Sequence, residues 1–218
     1  MDTPLAERMR PKTLEAIRGQ QRWLGPEGLI RRALDRGERM SMVLWGPPGC
    51  GKTTLARAMA HAMSARFVQI SAVLDGVKAL RDVIANLDSM FPTVLFIDEI
   101  HRWNKAQQDA LLPHVEAGAL TLIGATTENP SFELNAALRS RVQLIRLDPL
   151  SKEDVRSLLD EAVEHHLDVD ITPEALDLLA NASAGDARRA LSDLERVAAT
   201  GEGALGPCLL YTSPSPRD

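Results

Sequence analysis

The chain has 218 residues, 44% of them hydrophobic, and a formal net charge of −5. That length suits one large domain, or one with a small satellite, and no apolar run reaches the roughly 20 residues of a membrane span. The start, Met1-Asp2-Thr3-Pro4-Leu5-Ala6-Glu7-Arg8, lacks the apolar stretch of a signal peptide, and two cysteines, Cys50 and Cys208, make no disulfide framework, so a cytoplasmic protein is expected.

Charge is unevenly spread along the chain. Residues 1–40 hold nine Lys/Arg against six Asp/Glu, and residues 151–204 hold five against thirteen. A basic and an acidic surface in one chain is the pattern of a DNA-facing side, although solvated charge gives the same counts.

Met40–Trp45 is a short apolar run suited to a buried strand. It leads into Gly46-Pro47-Pro48-Gly49-Cys50-Gly51-Lys52-Thr53. This octapeptide fits G-x-x-x-x-G-K-[ST], in which glycines let backbone N–H groups turn inward onto phosphate oxygens. Lys52 is then expected to reach the β/γ-phosphates and the Thr53 hydroxyl to ligate Mg²⁺. Leu55, Ala58, Met59, Ala62 and Met63 form a helical stripe, predicting a helix over Thr53–Ala65 whose N-terminal dipole faces the phosphates. The expected nucleotide-binding set is therefore Gly46, Pro47, Pro48, Gly49, Cys50, Gly51, Lys52, Thr53 and Thr54.

A second strand is predicted at Phe67–Ser71, a helix at Val77–Leu87, and a third strand at Val94–Asp98. That third run ends in two adjacent carboxylates, Asp98 and Glu99, where a buried parallel strand would deliver them to its C-terminal edge. Alone, it reads better as a core strand ending in two solvated acids. Beside a phosphate loop, Asp98 is expected to hold the Mg²⁺ shell through water, and Glu99 to polarise the attacking water. A helix at Lys105–Ala117 and strands at Leu120–Ala125 and Gln143–Leu147 follow. This alternation predicts an α/β fold, a five-stranded parallel sheet with helices on both faces.

After Pro149 the strand signal stops. Ser151-Lys-Glu-Asp154 is a capping box ahead of a helical stripe, Thr172-Pro173 reads as N-cap and first-turn proline, and Asp186 caps a third stripe. The expected division is a nucleotide-binding core over 1–149 and a small helical domain over 150–204. His165 and His166 are adjacent, hence on different helix faces, and with no Cys cluster a zinc site is not expected. The last residues, Cys208–Asp218, hold the only tyrosine, two Ser-Pro steps and no periodicity. They look like the in-frame translation of a transposase-type sequencing adapter. They are read as foreign to the fold, with the natural chain expected to continue beyond about Pro207.

With both nucleotide motifs, an α/β core and a helical segment after it, the chain resembles the AAA+ ATPases. Pro4-Leu-Ala-Glu-Arg-Met-Arg-Pro-Lys-Thr-Leu14 followed by Gly19-Gln20 is similar to the segment preceding the core in clamp-loader-type members. The run Asp98–Pro113 and the run Gly124-Ala-Thr-Thr-Glu-Asn-Pro-Ser-Phe132 look like the replication-associated recombination protein A family and its eukaryotic counterpart, the Werner-helicase-interacting ATPase. Trp103 stands where that family usually has phenylalanine, and Val142 where clamp loaders usually show cysteine.

The resemblance implies a P-loop AAA+ core with a helical lid and Mg-dependent ATP hydrolysis. It implies Arg10, Pro11, Ile17 and Gly19 near the adenine, Thr127 as the sensor-1 residue, Arg141 as an arginine finger acting on a neighbouring subunit's ATP, and Arg188 as sensor 2. Arg139 and Arg189 sit beside two of these and remain alternatives. The implied role is DNA replication-fork maintenance, recombination and repair, as a homo-oligomer acting on single-stranded, gapped or forked DNA with replication proteins as possible partners. The implied place is the cytoplasm, at the nucleoid in a bacterium, with no membrane. Two other readings stay open: a different clamp-loader or Holliday-junction branch-migration ATPase, and a nucleotide-binding module without efficient turnover.

Overall fold

The computed structural model describes residues 3–75, 77–87 and 91–200; the Cys208–Asp218 stretch lies outside them. In chain order the elements are α1 (Leu5–Arg8), α2 (Gln21–Leu24), α3 (Leu29–Asp35), β1 (Met42–Trp45), α4 (Lys52–Ala62), β2 (Arg66–Ser71), α5 (Val77–Ala85) and β3 (Thr93–Asp98). A 3₁₀ turn (Ile100–Arg102), α6 (Lys105–Asp109), α7 (Leu112–Glu116), β4 (Thr121–Thr126), α8 (Pro130–Glu133), α9 (Ala136–Arg139) and β5 (Gln143–Arg146) follow. The last three are α10 (Lys152–His166), α11 (Pro173–Ala182) and α12 (Ala187–Thr200).

The chain divides into two units, Pro11–Asp148 and a second made of Met1–Arg10 with Pro149–Asp218. In the first, all five strands are parallel in the order β2-β3-β4-β1-β5. The strands read as apolar runs because both faces are covered. Alternation then sends Met42 and Leu44 of β1, Val94 and Phe96 of β3, and Ile123 and Ala125 of β4 to one face, packed on Leu55, Ala58 and Met59 of α4. Val43, Leu95, Ile97 and Leu122 go to the other face, against Leu80, Ile100, Trp103, Leu111 and Leu138. Each fully buried side chain of this size stabilises by about 1.5–3 kcal/mol.

The single helix expected over Lys105–Ala117 is two. Pro113 has no N–H, and its ring would meet the Asp109 carbonyl if α6 continued, so the chain breaks and restarts with Pro113 in the first turn of α7. The break is held by a buried amide. Gln108 Nε2 donates to the carbonyls of Trp103 (3.0 Å) and Glu133 (3.1 Å), and Gln108 Oε1 accepts from the Asn135 N–H at 2.8 Å.

In the second unit, Ser151 and Asp154 form the expected capping box of α10, Thr172 caps α11, and the Asp186 carboxylate accepts from Arg189 N–H at 2.9 Å. Val155, Leu159, Leu176, Leu179, Ala190 and Leu194 form its core. The division differs from the expected one at its beginning. Residues 3–10 belong with these helices and not with the sheet: Leu5 is fully buried in their core, and its N–H donates to Glu195 Oε1 at 2.9 Å. The physical reason is that Leu5, Ala6 and Met9 fall on one side of a short helix and complete the bundle's apolar interior.

Candidate functional site

The β1 strand ends at Trp45, and the loop after it turns through Gly46, Gly49 and Gly51, all at positive φ. At Gly51 the φ of +96° is a backbone conformation that side chains disfavour, and it points the chain into α4. A Cβ on Gly46 would stand 2.3 Å from the Leu147 carbonyl oxygen, so the loop is pressed against the end of β5. No side chain caps α4, and its first N–H groups face the loop interior as donors without intrahelical partners. Lys52 Nζ folds back over the loop and donates to the carbonyls of Gly46 (2.7 Å) and Pro47 (2.9 Å). Thr53 and Thr54 lie in the same first turn, half-buried.

Register places the acids on the same edge. Trp45 is paired with Thr126 on β4, and Ile97 with Gly124, so β1, β4 and β3 all end together. Asp98 closes β3 two strands away from β1, about 10 Å at the usual strand spacing. Its Oδ1 accepts from the Glu99 N–H at 3.2 Å. Glu99 itself has φ 54° and ψ 43°, a left-handed conformation that a non-glycine residue adopts at a cost of order 1–3 kcal/mol.

Packing below holds that turn. A Cβ on Gly124 would meet Ile100 Cδ1 at 2.9 Å and Val43 Cγ2 at 3.1 Å, so glycine there is what lets Ile100 lie flat on the sheet beneath Glu99. Three further side chains surround the acid, and sequence reasoning missed them as a group. His101 Nδ1 lies 2.9 Å from Thr126 Oγ1 and 3.3 Å from Glu99 Oε2, and its Nε2 is 3.3 Å from Glu128 Oε1. Thr126 Oγ1 also accepts from the Glu128 N–H at 2.9 Å. The available signal was the Thr126-Thr127 pair, of which only Thr127 was singled out. The β4 strand ends at Thr126, which is fully buried, and Thr127 lies one residue beyond it and exposed.

Of the other expected site residues, Arg141 lies away from this edge, and Arg10 and Arg188 belong to the other unit. Arg141 precedes β5, whose first residue, Gln143, is paired with Met42 at the start of β1. It therefore sits at the opposite edge of the sheet from the Gly46–Thr54 loop. There it pairs through Nε with Glu116 Oε1, and its Nη1 donates to the Ala137 carbonyl at 2.8 Å. Its neighbour Arg139 instead donates to the Ser131 carbonyl.

Pro11, Ile17 and Gly19 belong to the sheet unit. Ile17 packs on the core, Gly19 has φ 66°, and next to it the Gln20 amide donates to the Asp148 carbonyl at 2.7 Å and accepts from its N–H at 3.3 Å. Arg10 and Arg188 belong to the helical unit; Arg10 donates through Nε to Glu7 Oε2 at 3.0 Å, and Arg188 is exposed on α12. Of the basic groups in the first forty residues, Arg8, Arg31, Arg32 and Arg36 lie within ion-pair reach of Glu195, Glu15 and Asp35, Glu27 and Glu38. Of these pairs only that of Arg8 draws on an acid from outside that segment, so the local basic excess largely persists.

Among the described residues no group of three or more His, Cys, Asp or Glu side chains offers a metal cage, and no helix is long and apolar enough to cross a membrane. A family model for the ATPase family associated with various cellular activities (AAA) matches residues 42–150. Replication-associated recombination protein A of Escherichia coli (strain K12) is 48% identical over 205 residues, covering 89% of this chain and 46% of that protein. ATPase WRNIP1 of Dictyostelium discoideum is 42% identical over 207 residues, covering 88% of this chain and 23% of that protein. Among solved structures, the Thermotoga maritima RuvB Holliday junction branch migration motor superposes with a TM-score of 0.78 at 32% identity, covering 93% of this chain and 71% of that one. This chain spans about half the length of the Escherichia coli relative.

Proposed function

Because the chain belongs to the AAA ATPase family, we propose that Gly46–Thr54 binds ATP and that Asp98 and Glu99 serve its hydrolysis at the same sheet edge. The observation that carries this reading is the register that ends β1, β3 and β4 together, bringing a phosphate-type loop and two carboxylates to one side of the sheet. The loop glycines and the first N–H groups of α4 cradle phosphate oxygens. Lys52 exchanges its two loop carbonyls for the β/γ-phosphates. Glu99, presented by its left-handed turn, orients the attacking water.

The donor set suits Mg²⁺, which takes one or two protein oxygens beside waters and phosphates rather than a protein cage. Thr53 and Asp98 are oxygen donors of that kind, Asp98 acting through water. When bound, Mg²⁺ neutralises charge on the phosphates during transfer. Thr127 follows the end of β4 and senses the γ-phosphate. Arg141, at the far edge, serves a neighbouring copy's ATP in a homo-oligomer, as the always-charged, two-donor arginine is suited to do. Within the sheet unit, Pro11, Ile17 and Gly19 supply adenine contacts.

The whole protein's role is then ATP-driven remodelling of DNA, or of proteins on DNA, during replication-fork maintenance, recombination and repair in the cytoplasm. The similarity to replication-associated recombination protein A supports this. The test is phosphate release from ATP with Mg²⁺, with and without single-stranded, duplex and forked DNA at low salt. DNA should stimulate release, and stimulation should fall as salt rises because phosphate contacts release counterions. No stimulation by any of the three DNAs would redirect the reading to protein substrates. Nucleotide binding with no release under any condition would reduce it to a binding module.

A further inference from the structure

His101 has no part in the nucleotide machinery above, yet its side chain is only 5% exposed and stands between that machinery and the end of β4. One ring edge faces two oxygens at once: Nδ1 is 2.9 Å from Thr126 Oγ1 and 3.3 Å from Glu99 Oε2. The other ring nitrogen, Nε2, faces Glu128 Oε1 at 3.3 Å but makes no hydrogen bond of good geometry among the protein atoms. Thr126 Oγ1 is held in turn by the Glu128 N–H. We propose that His101 is the positioning residue for Glu99, tying its carboxylate to Thr126 so that the loop beginning at Thr127 and the water-orienting acid move as one.

Three observations carry this. Glu99 is held in a left-handed backbone conformation, so its side chain leaves the sheet edge from a rigid base, yet it is more than a third exposed and its direction must be set by a neighbour. His101 follows two residues later on a 3₁₀ turn anchored by fully buried Ile100, and the ring therefore has a fixed origin. Thr126 is fully buried at the end of a central strand, which makes it the least movable partner available. A ring nitrogen shared between a fixed hydroxyl and a mobile carboxylate transmits any shift of the β4 end to the carboxylate. The inference rests on the proposed role of Glu99, and the experiment separates the two.

The experiment measures phosphate release at saturating ATP, affinity for a fluorescent ATP analogue and the thermal midpoint for variants of the 218-residue chain. His101→Phe keeps the ring's bulk and removes both nitrogens. It should lower kcat by between about tenfold and about a hundredfold, the scale of a carboxylate misplaced by an ångström. Analogue affinity should stay within about twofold. His101→Asn, whose amide falls near the Nδ1 position, should recover most of the rate, while His101→Gln, which reaches toward the Nε2 position, should recover little. Thr126→Val, which removes the hydroxyl at nearly constant volume, should reproduce part of the loss and serves if His101→Phe does not fold.

In a Glu99→Gln background, His101→Phe should have no further effect, since there is no carboxylate left to orient. An unchanged kcat in His101→Phe and Thr126→Val overturns the proposal. So does an equal further loss in the Glu99→Gln background, or a loss that tracks the thermal midpoint across Phe, Asn and Gln alike. Wild-type turnover by Glu99→Gln alone removes the role of Glu99 itself, and is recognised without any change at His101.

Discussion

Gly124→Ala tests the packing that presents Glu99. The new Cβ would lie 2.9 Å from Ile100 Cδ1, 3.1 Å from Val43 Cγ2 and 3.2 Å from Ile100 Cγ2. Carbon contacts settle at about 3.5–4.0 Å, so the methyl intrudes on two neighbours by roughly half an ångström. Overpacking of this kind costs about 1–3 kcal/mol. The nearest atom is the mobile end of Ile100, but Val43 is fixed in mid-strand, so about 1.5 kcal/mol is expected. Ile100→Val removes the atom at 2.9 Å and alone should cost about 0.5–1.5 kcal/mol.

Together the two changes should offset each other, leaving the double variant about 1 kcal/mol more stable than the sum of the singles. Urea unfolding followed by tryptophan fluorescence suits this, because Trp23, Trp45 and Trp103 all lie in the sheet unit. Gly124→Ala should also slow phosphate release, and the double variant should regain part of the rate, because Ile100 directly follows Glu99. Additivity within about 0.3 kcal/mol would refute the claim that Gly124 exists to admit Ile100.

Gln108→Ala removes three hydrogen bonds from a buried amide, near 3 kcal/mol in all at about 1 kcal/mol each. For a domain of this size that lowers the melting temperature by about 6–12 °C, and calorimetry showing no shift would mean the amide staples nothing. Lys52→Ala should weaken ATP binding by about 1.5 kcal/mol, the low end for a charged hydrogen bond because the ammonium surrenders its carbonyl partners. Titration with a fluorescent ATP analogue at wild-type affinity would contradict the loop's role. Arg141→Ala and Lys52→Ala should each turn over slowly alone, and their mixture should recover some phosphate release, one supplying the site and the other the arginine. A mixture that co-assembles and stays inactive would rule out action between copies.

The apolar runs made all five strands legible in the sequence, each within two residues, because a parallel sheet buried on both faces needs near-continuous hydrophobic residues. The loop and the Asp98-Glu99 pair were legible for the same reason, being bound to strand ends. What escaped depends on approach in three dimensions. The left-handed turn at Glu99, the need for glycine at 124 and the His101–Thr126 contact all arise where the 3₁₀ turn lies on β4, and no local pattern records that meeting. The place of residues 3–10 among the later helices was equally hidden, since a four-residue helix carries too short a stripe to show its partner. The split of the helix at Pro113 was readable from the proline alone, yet the surrounding apolar periodicity argued for continuity.

The claim that the end of β3 catalyses what the loop after β1 binds is tested most directly by Glu99→Gln. Analogue affinity and phosphate release are measured on the same preparation. The amide keeps the size of the side chain but loses the carboxylate's hold on water. Affinity should therefore stay within about twofold while release falls by about a hundredfold. Release at the wild-type rate with binding intact would contradict the account.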